Sequence, residues 1–312
     1  MSRIVVAGGA GFVGSHLCES LIERGDEVVC LDNLITGSID NVKTLLEHPN
    51  FTLIVCDVSV EVPVSGTLDA VCNLASPASP PAYLANPLET LAVGSEGTRR
   101  LLELADENKA RFLLASTSEV YGDPTVHPQV ESYRGNVDPT GPRSVYDEAK
   151  RFGEAITMAF HRARGTNVKI ARIFNTYGPR LAPGDGRVVS NFIVQALSGK
   201  SLTVYGDGTQ TRSLCYVADE VKGLLKLLDS SITGPVNIGN PDERSVLELA
   251  EMILKLSGSS SHIIFEPLPT DDPTRRCPDI TLARESLNWS PTVEIEDGLC
   301  RTIDHFSTML RS

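Results

Sequence analysis

Gly8-Gly-Ala-Gly11-Phe-Val-Gly14 stands directly behind the apolar run Arg3-Ile-Val-Val-Ala7 and opens Phe12–Arg24, a stretch of helical character. That order of strand, glycine turn and helix decides the fold. Gly8 permits the tight turn, Gly11 lets a pyrophosphate approach the backbone, and Gly14 lets the helix pack on the strand. The free N–H groups of the first turn, where Phe12 and Val13 lie, offer a positive dipole end to phosphates. The next apolar run, Glu27–Leu31, ends in Asp32 followed by Asn33. An acid there hydrogen-bonds the adenine ribose hydroxyls and repels a 2′-phosphate, so the expected cofactor is NAD rather than NADP. Phe51–Cys56 delivers Asp57 and Val58, with Asp57 suited to the adenine amino group. Ala70–Leu74 leads into Ala75 and Ser76, and Leu74, Ala75 and Ser76 are expected along the cofactor.

Working outward, Leu84–Asn108 reads as one long helix, Arg111–Ala115 as a strand, Tyr146–Arg164 as a helix and Val168–Ile173 as a strand. Strands alternating with helices predict an α/β fold with a Rossmann-type doubly wound parallel sheet. Beyond residue 180 the elements shorten: a helix at Val188–Leu197, a strand at Leu202–Tyr205, a helix at Val217–Leu228, a strand near Val236, a helix over 245–256 and a strand at His262–Phe265. The expected division is an NAD-binding domain over 1–180 and a smaller C-terminal α/β substrate lobe over 181–312, with segments that interleave.

Composition narrows the function. Hydrophobic residues make up 41% and charged residues 22%, so a packed core is expected. The 28 Lys and Arg against 40 Asp and Glu leave a net charge of -12, which argues against a nucleic-acid partner. No run is apolar enough for a membrane span and no leader segment is legible, and the seven scattered cysteines read as reduced, so the expected location is the cytoplasm. The histidines show no metal-ligand spacing, and no metal is expected.

Tyr146-Asp-Glu-Ala-Lys150 places a tyrosine and a lysine on one helix face. With an ammonium and the positive nicotinamide nearby, Tyr146 would serve as general base for an alcohol losing hydride. Ser116-Thr-Ser-Glu119 follows the strand Arg111–Ala115, at the strand end where open α/β sheets bind ligands. Thr117 would hydrogen-bond the substrate hydroxyl, and Glu119 would act on a neighbouring carbon. Arg172, Arg180, Arg187 and Arg212 are candidate phosphate cations.

The glycine loop, Thr117, Tyr146 and Lys150 resemble the extended short-chain dehydrogenase/reductase superfamily, which modifies nucleotide sugars. Longer segments sharpen the match: Asn73–Pro81, Leu114–Pro124, Gly141-Pro-Arg-Ser144, Ala171–Arg180, Gly186–Phe192, Leu202–Gly208 and Asp271-Asp-Pro273. Together they resemble the UDP-glucuronic acid decarboxylase family, also called UDP-xylose synthases. The resemblance implies oxidation at C4, loss of carbon dioxide and return of hydride to C4. It also implies that Arg276 holds the substrate carboxylate, that Glu119 assists near C5, that Asn175 and Arg212 serve the diphosphate with Arg187, and that Tyr205 packs near the uracil. A homodimer through the helices 84–108 and 146–164 is expected on the same ground.

The sequence departs from the family in three places. Ala92-Val93-Gly94 replaces an expected Lys-Thr-Asn, Arg134 stands where an aromatic is expected before Gly135, and Thr36-Gly-Ser-Ile39 replaces the usual basic residues. The first change would remove a lysine and an asparagine from the sugar, with Arg134 or Arg99 as replacements. Three rivals stay open. A 4,6-dehydratase needs an acid beside Glu119, where Ser118 stands. A 4-epimerase needs only the Thr/Tyr/Lys set. A silent NAD-binding scaffold would not need that set at all.

Overall fold

The computed structural model describes residues 1–267 and 275–311. Its frame is a seven-stranded sheet of β1 (Arg3–Ala7), β2 (Glu27–Asp32), β3 (Phe51–Val55), β4 (Ala70–Asn73), β5 (Arg111–Thr117), β6 (Val168–Ile173) and the strand Pro235–Ile238. Across the sheet the order is Pro235–Ile238, β6, β5, β4, β1, β2, β3, with every pairing parallel. This is the predicted Rossmann-type doubly wound sheet. Helices cover both faces, burying Leu17 and Leu21 on one side and Leu101 and Leu102 on the other. Burial on both faces is why the strands are near-continuous apolar runs. The strand Pro235–Ile238 returns the chain to the main sheet from beyond residue 181.

Two places shape the site. In the first, α1 (Phe12–Glu23) starts at Gly11, whose extended backbone (φ -76°, ψ 179°) supplies no side-chain cap. The second corrects the expected helix over Leu84–Asn108. The chain there forms α2 (Pro80–Ala85), α3 (Pro87–Ala92), a π turn at Val93–Gly97 and α4 (Thr98–Asn108). Pro87 has no N–H and pushes Asn86 off the helical region, to φ -129° and ψ 59°. The π turn lies against α5 (Ser144–Arg164), where a Cβ on Gly94 would stand 2.6 Å from the Cβ of Ala149.

Three two-stranded sheets complete the described residues: Thr176–Tyr177 parallel with Cys215–Tyr216, Leu202–Tyr205 parallel with Ile263–Glu266, and Thr211–Ser213 antiparallel with Glu243–Ser245. The helix Val246–Ser257 begins with a capping box between Ser245 and Glu248. The seven cysteines are all free and only Cys300 is exposed. Among the described residues no helix is long and apolar enough to cross a membrane. The motif Asp271-Asp-Pro273 lies outside the described residues.

Candidate active site

A groove runs along the carboxyl ends of β1, β2 and β4, where the strand order turns back on itself. Gly8, Gly11, Asp32, Asn33, Asp57, Val58, Leu74, Ala75 and Ser76 line it. Gly8 has φ +77°, and a Cβ there would stand 2.7 Å from the backbone of Leu74 and Ala75. A Cβ on Gly14 would strike the Gly8 carbonyl. The first-turn amides of α1 face no side-chain cap and no acidic neighbour, which suits them to phosphate. Asp32 is buried, its two oxygens accepting the N–H groups of Ala10 and Leu34 at 2.9 Å each. Burial raises its pKa against those bonds. Each oxygen keeps acceptor capacity for ribose hydroxyls. The uncapped helix start, the cradle without Cβ atoms and the acid at the end of β2 fit a dinucleotide. Phe12 does not line the groove: its ring sits edge-on to His16, centroids 6.0 Å apart, so only its backbone belongs to the cradle. Val13 lines the adjoining cavity instead.

That cavity, of about 920 Å³, shares Leu74 and Ser76 with the groove. Thr117, Glu119, Tyr146, Lys150, Asn175, Arg187, Tyr205, Arg212 and Arg276 all line it. The last residue of β5 is Thr117, and the short 3-10 turn Ser118–Tyr121 behind it brings Glu119. The buried face of α5 brings Tyr146 and Lys150. The Lys150 ammonium donates to the Ala115 carbonyl at 2.9 Å and lies 5.7 Å from the Tyr146 ring centroid. Burial lowers the Lys150 pKa to about 8. Burial also pushes the Tyr146 hydroxyl well above its ordinary value, opposed by Arg187 and by a hydrogen bond with Thr117. The protein's own charges therefore leave Tyr146 protonated, and a further positive charge in the groove would act in the direction of the phenolate.

Glu119 is the centre of a cationic wall. Its Oε2 accepts from Arg143 at 2.6 Å and from Arg276 at 3.0 Å. Burial raises its pKa, but Arg276 and Arg143 outweigh it and hold the carboxyl below its ordinary value. Arg276 is 3% exposed and also donates to the Ser118 carbonyl at 2.9 Å, while its Nε has no partner among the described residues. A buried guanidinium on a cavity wall is suited to an anionic ligand group.

Three residues of the site escaped the sequence reading. Tyr83 stacks on Tyr146, with centroids 5.2 Å apart and planes at 7°. Arg143 sits in the quoted segment Gly141–Ser144, yet nothing local marks it as the partner of Glu119. Asp147, between Tyr146 and Lys150, is buried with Oδ1 unpartnered.

Other expectations fail. Arg172 is buried in an ion pair with Glu154 (2.7 Å) and a bond to Tyr121 (3.0 Å), and Arg180 pairs with Glu19 (2.8 Å). Both brace the fold and neither lines the cavity. Ala92 and Gly94 line neither cavity nor groove, while their neighbours Glu89 and Val93 line the groove. Nor do the suggested replacements reach the cavity, since Arg99 pairs with Glu96 and Glu103 on a helix surface and Arg134 is exposed. Thr36 and Gly37 do line the groove, and a Cβ on Gly37 would stand 2.8 Å from Asp32 Oδ1.

The sequence model of the NAD dependent epimerase/dehydratase family matches residues 4–239. UDP-glucuronic acid decarboxylase 1 of Danio rerio is 53% identical over 99% of this chain and 73% of its own length. UDP-glucuronic acid decarboxylase 5 of Arabidopsis thaliana is 52% identical over 95% of this chain and 87% of its own. Among solved structures, UDP-glucuronic acid 4-epimerase from Bacillus cereus, in complex with UDP-glucuronic acid and NAD, superposes with a TM-score of 0.89 at 30% identity, covering 98% of this chain and 99% of that one. The chain belongs to the NAD dependent epimerase/dehydratase family and, within it, to the UDP-glucuronic acid decarboxylases.

Proposed function

We propose that this chain converts UDP-glucuronate to UDP-xylose and carbon dioxide within the cavity, with the following division of labour. Tyr146 takes the proton of the C4 hydroxyl and Thr117 hydrogen-bonds that oxygen. Lys150 supplies positive charge beside the tyrosine. NAD, when bound, supplies the hydride acceptor and donor at C4. Gly8, Gly11, Phe12 and Val13 hold its diphosphate by their backbone, Asp32 and Asn33 its ribose, Asp57 and Val58 its adenine, and Leu74, Ala75 and Ser76 its inner face. Arg276, which lines the cavity, receives the substrate carboxylate. Glu119, kept ionised by two arginines, assists near C5 through water. A ketone at C4 makes the substrate a β-keto acid. The electrons of the C5–carboxylate bond then pass into the ketone, carbon dioxide leaves, and C5 takes a proton. Asn175, Arg187 and Arg212 serve the diphosphate and Tyr205 the uracil.

The observation that carries this reading is Arg276: a buried guanidinium beside Glu119 that lines the same cavity as Tyr146. In the division of the chain, residues 1–180 hold the cofactor and Thr117, Tyr146 and Lys150, and 181–312 cover the nucleotide. The chain pairs into a homodimer through α2, α3 and α5. Leu84, Leu88, Leu91 and Phe152 support this, being 51%, 75%, 38% and 48% exposed on those helices. Its cysteines, free throughout, suit the cytoplasm. The test is to incubate purified protein with UDP-glucuronate and catalytic NAD, following carbon dioxide and sugar by NMR. UDP-xylose without net NADH is expected. UDP-galacturonate would mean a 4-epimerase, and no turnover would overturn the substrate.

A further inference from the structure

On the side of the protein where Arg276 leaves the cavity wall, three side chains from separate parts of the chain converge. They are His127 from the loop after β5, Glu243 from the strand Glu243–Ser245, and Cys277. The imidazole nitrogen, a carboxylate oxygen and the thiol sulfur all lie within 4.8 Å of one another. We propose that these three bind one zinc-class divalent cation, with water or another exogenous ligand in the fourth position.

One nitrogen, one oxygen and one sulfur make a borderline-soft set, which selects zinc or cobalt over magnesium or calcium. The donors are held in place. His127 Nε2 lies 2.9 Å from Glu243 Oε2, and the other Glu243 oxygen accepts from Thr211 Oγ1 at 2.6 Å. Cys277 is clamped by a two-way bond with Gln129: its N–H donates to Gln129 Oε1 at 3.0 Å and its carbonyl accepts the Gln129 N–H at 2.8 Å. A second observation points to the same place. The Ser213 hydroxyl is fully buried beside the Cys277 sulfur, which lies within its hydrogen-bonding reach. A coordinated thiolate would be a stronger acceptor for that hydroxyl than the thiol, the outer-shell contact that metal-bound sulfurs use. His127 and Glu243 are partly exposed, which leaves an entry path. As the metal–sulfur bond forms, the thiol proton passes to solvent. Because Cys277 follows Arg276 directly, an occupied site would tie the cavity wall to the 127 loop and to the small sheet of the later segments.

The site is tested on the full chain with NAD bound, using cobalt(II) as the probe. One equivalent per chain should give a thiolate-to-cobalt charge-transfer band with tetrahedral ligand-field bands, and zinc should displace them while raising the melting temperature. Cys277→Ser should abolish the charge-transfer band, whereas Cys300→Ser, at the exposed cysteine, should keep it. Ser213→Ala should weaken binding about 10-fold. His127→Gln and Glu243→Gln alter the solvent edge of the site and should weaken it at least as much, even where Cys277→Ser fails to fold. No band at any cobalt concentration, a band that survives Cys277→Ser, or one lost in Cys300→Ser would overturn the proposal.

Discussion

The rings of Tyr83 and Tyr146 are stacked, 5.2 Å between centroids and 7° from parallel, so a residue of α2 sets the orientation of a residue of α5. The Tyr83 hydroxyl is buried without a partner among the described residues, and burial pushes its pKa up to about 12. Tyr83→Phe keeps the stack and removes an unsatisfied polar group, so the melting temperature of the free protein should not fall. Tyr83→Ala loses the stack, worth about 0.5–1.5 kcal/mol, and leaves a cavity costing about 3–5 kcal/mol. Thermal melts of both variants decide the point, and a destabilised Phe variant would show that the hydroxyl has a partner.

Arg276→Ala breaks a buried ion pair and should cost about 3–5 kcal/mol of stability. It should also lower kcat/KM for UDP-glucuronate by about 10- to 150-fold, since a charge-assisted contact is worth about 1.5–3 kcal/mol. Arg276→Lys should recover little, because an ammonium cannot reproduce the guanidinium fork that holds the Ser118 carbonyl and Glu119 together. Steady-state kinetics with both variants checks this, and full rescue by lysine would remove the guanidinium from the argument.

Asp147 has its pKa raised to about 7, by burial first and by the charge of Glu119 second. The folded state therefore holds a proton that the unfolded state releases near pH 4. Stability from this group is present below about pH 4 and is lost as pH rises toward 7. Asp147→Asn should melt higher than the parent at pH 8, by on the order of 2–4 kcal/mol, with the gap closing toward pH 4. A gap independent of pH would contradict the buried acid.

Gly94 is the point where the family's expected asparagine cannot be accommodated against Ala149. Gly94→Asn should cost about 1–3 kcal/mol by overpacking. The double change Gly94→Asn with Ala149→Gly should recover part of it, measured by chemical denaturation. Additive losses would mean that the two backbones do not limit each other.

The sheet was legible from the glycine turn and from apolar runs long enough to be strands, because both are local patterns. Asp32, Asp57, Thr117, Tyr146 and Lys150 were legible for the same reason: each sits at the end of a strand or one turn along a helix. The helix over Leu84–Asn108 was misread because apolar spacing outweighed the break at Asn86-Pro87, and nothing in the sequence announces the π turn.

Local order therefore fixed the Rossmann frame, the dinucleotide groove and the pairing of Tyr146 with Lys150. Tertiary structure alone decided which arginines face the cavity, since Arg172 and Arg180 are spent on Glu154 and Glu19 while Arg143 and Arg276 meet at Glu119. It alone placed Tyr83 on Tyr146, put Gly94 against Ala149 and gathered His127, Glu243 and Cys277. A charge is useful to a ligand only where it faces the cavity, and which side chains face the cavity depends on contacts between segments far apart in the chain.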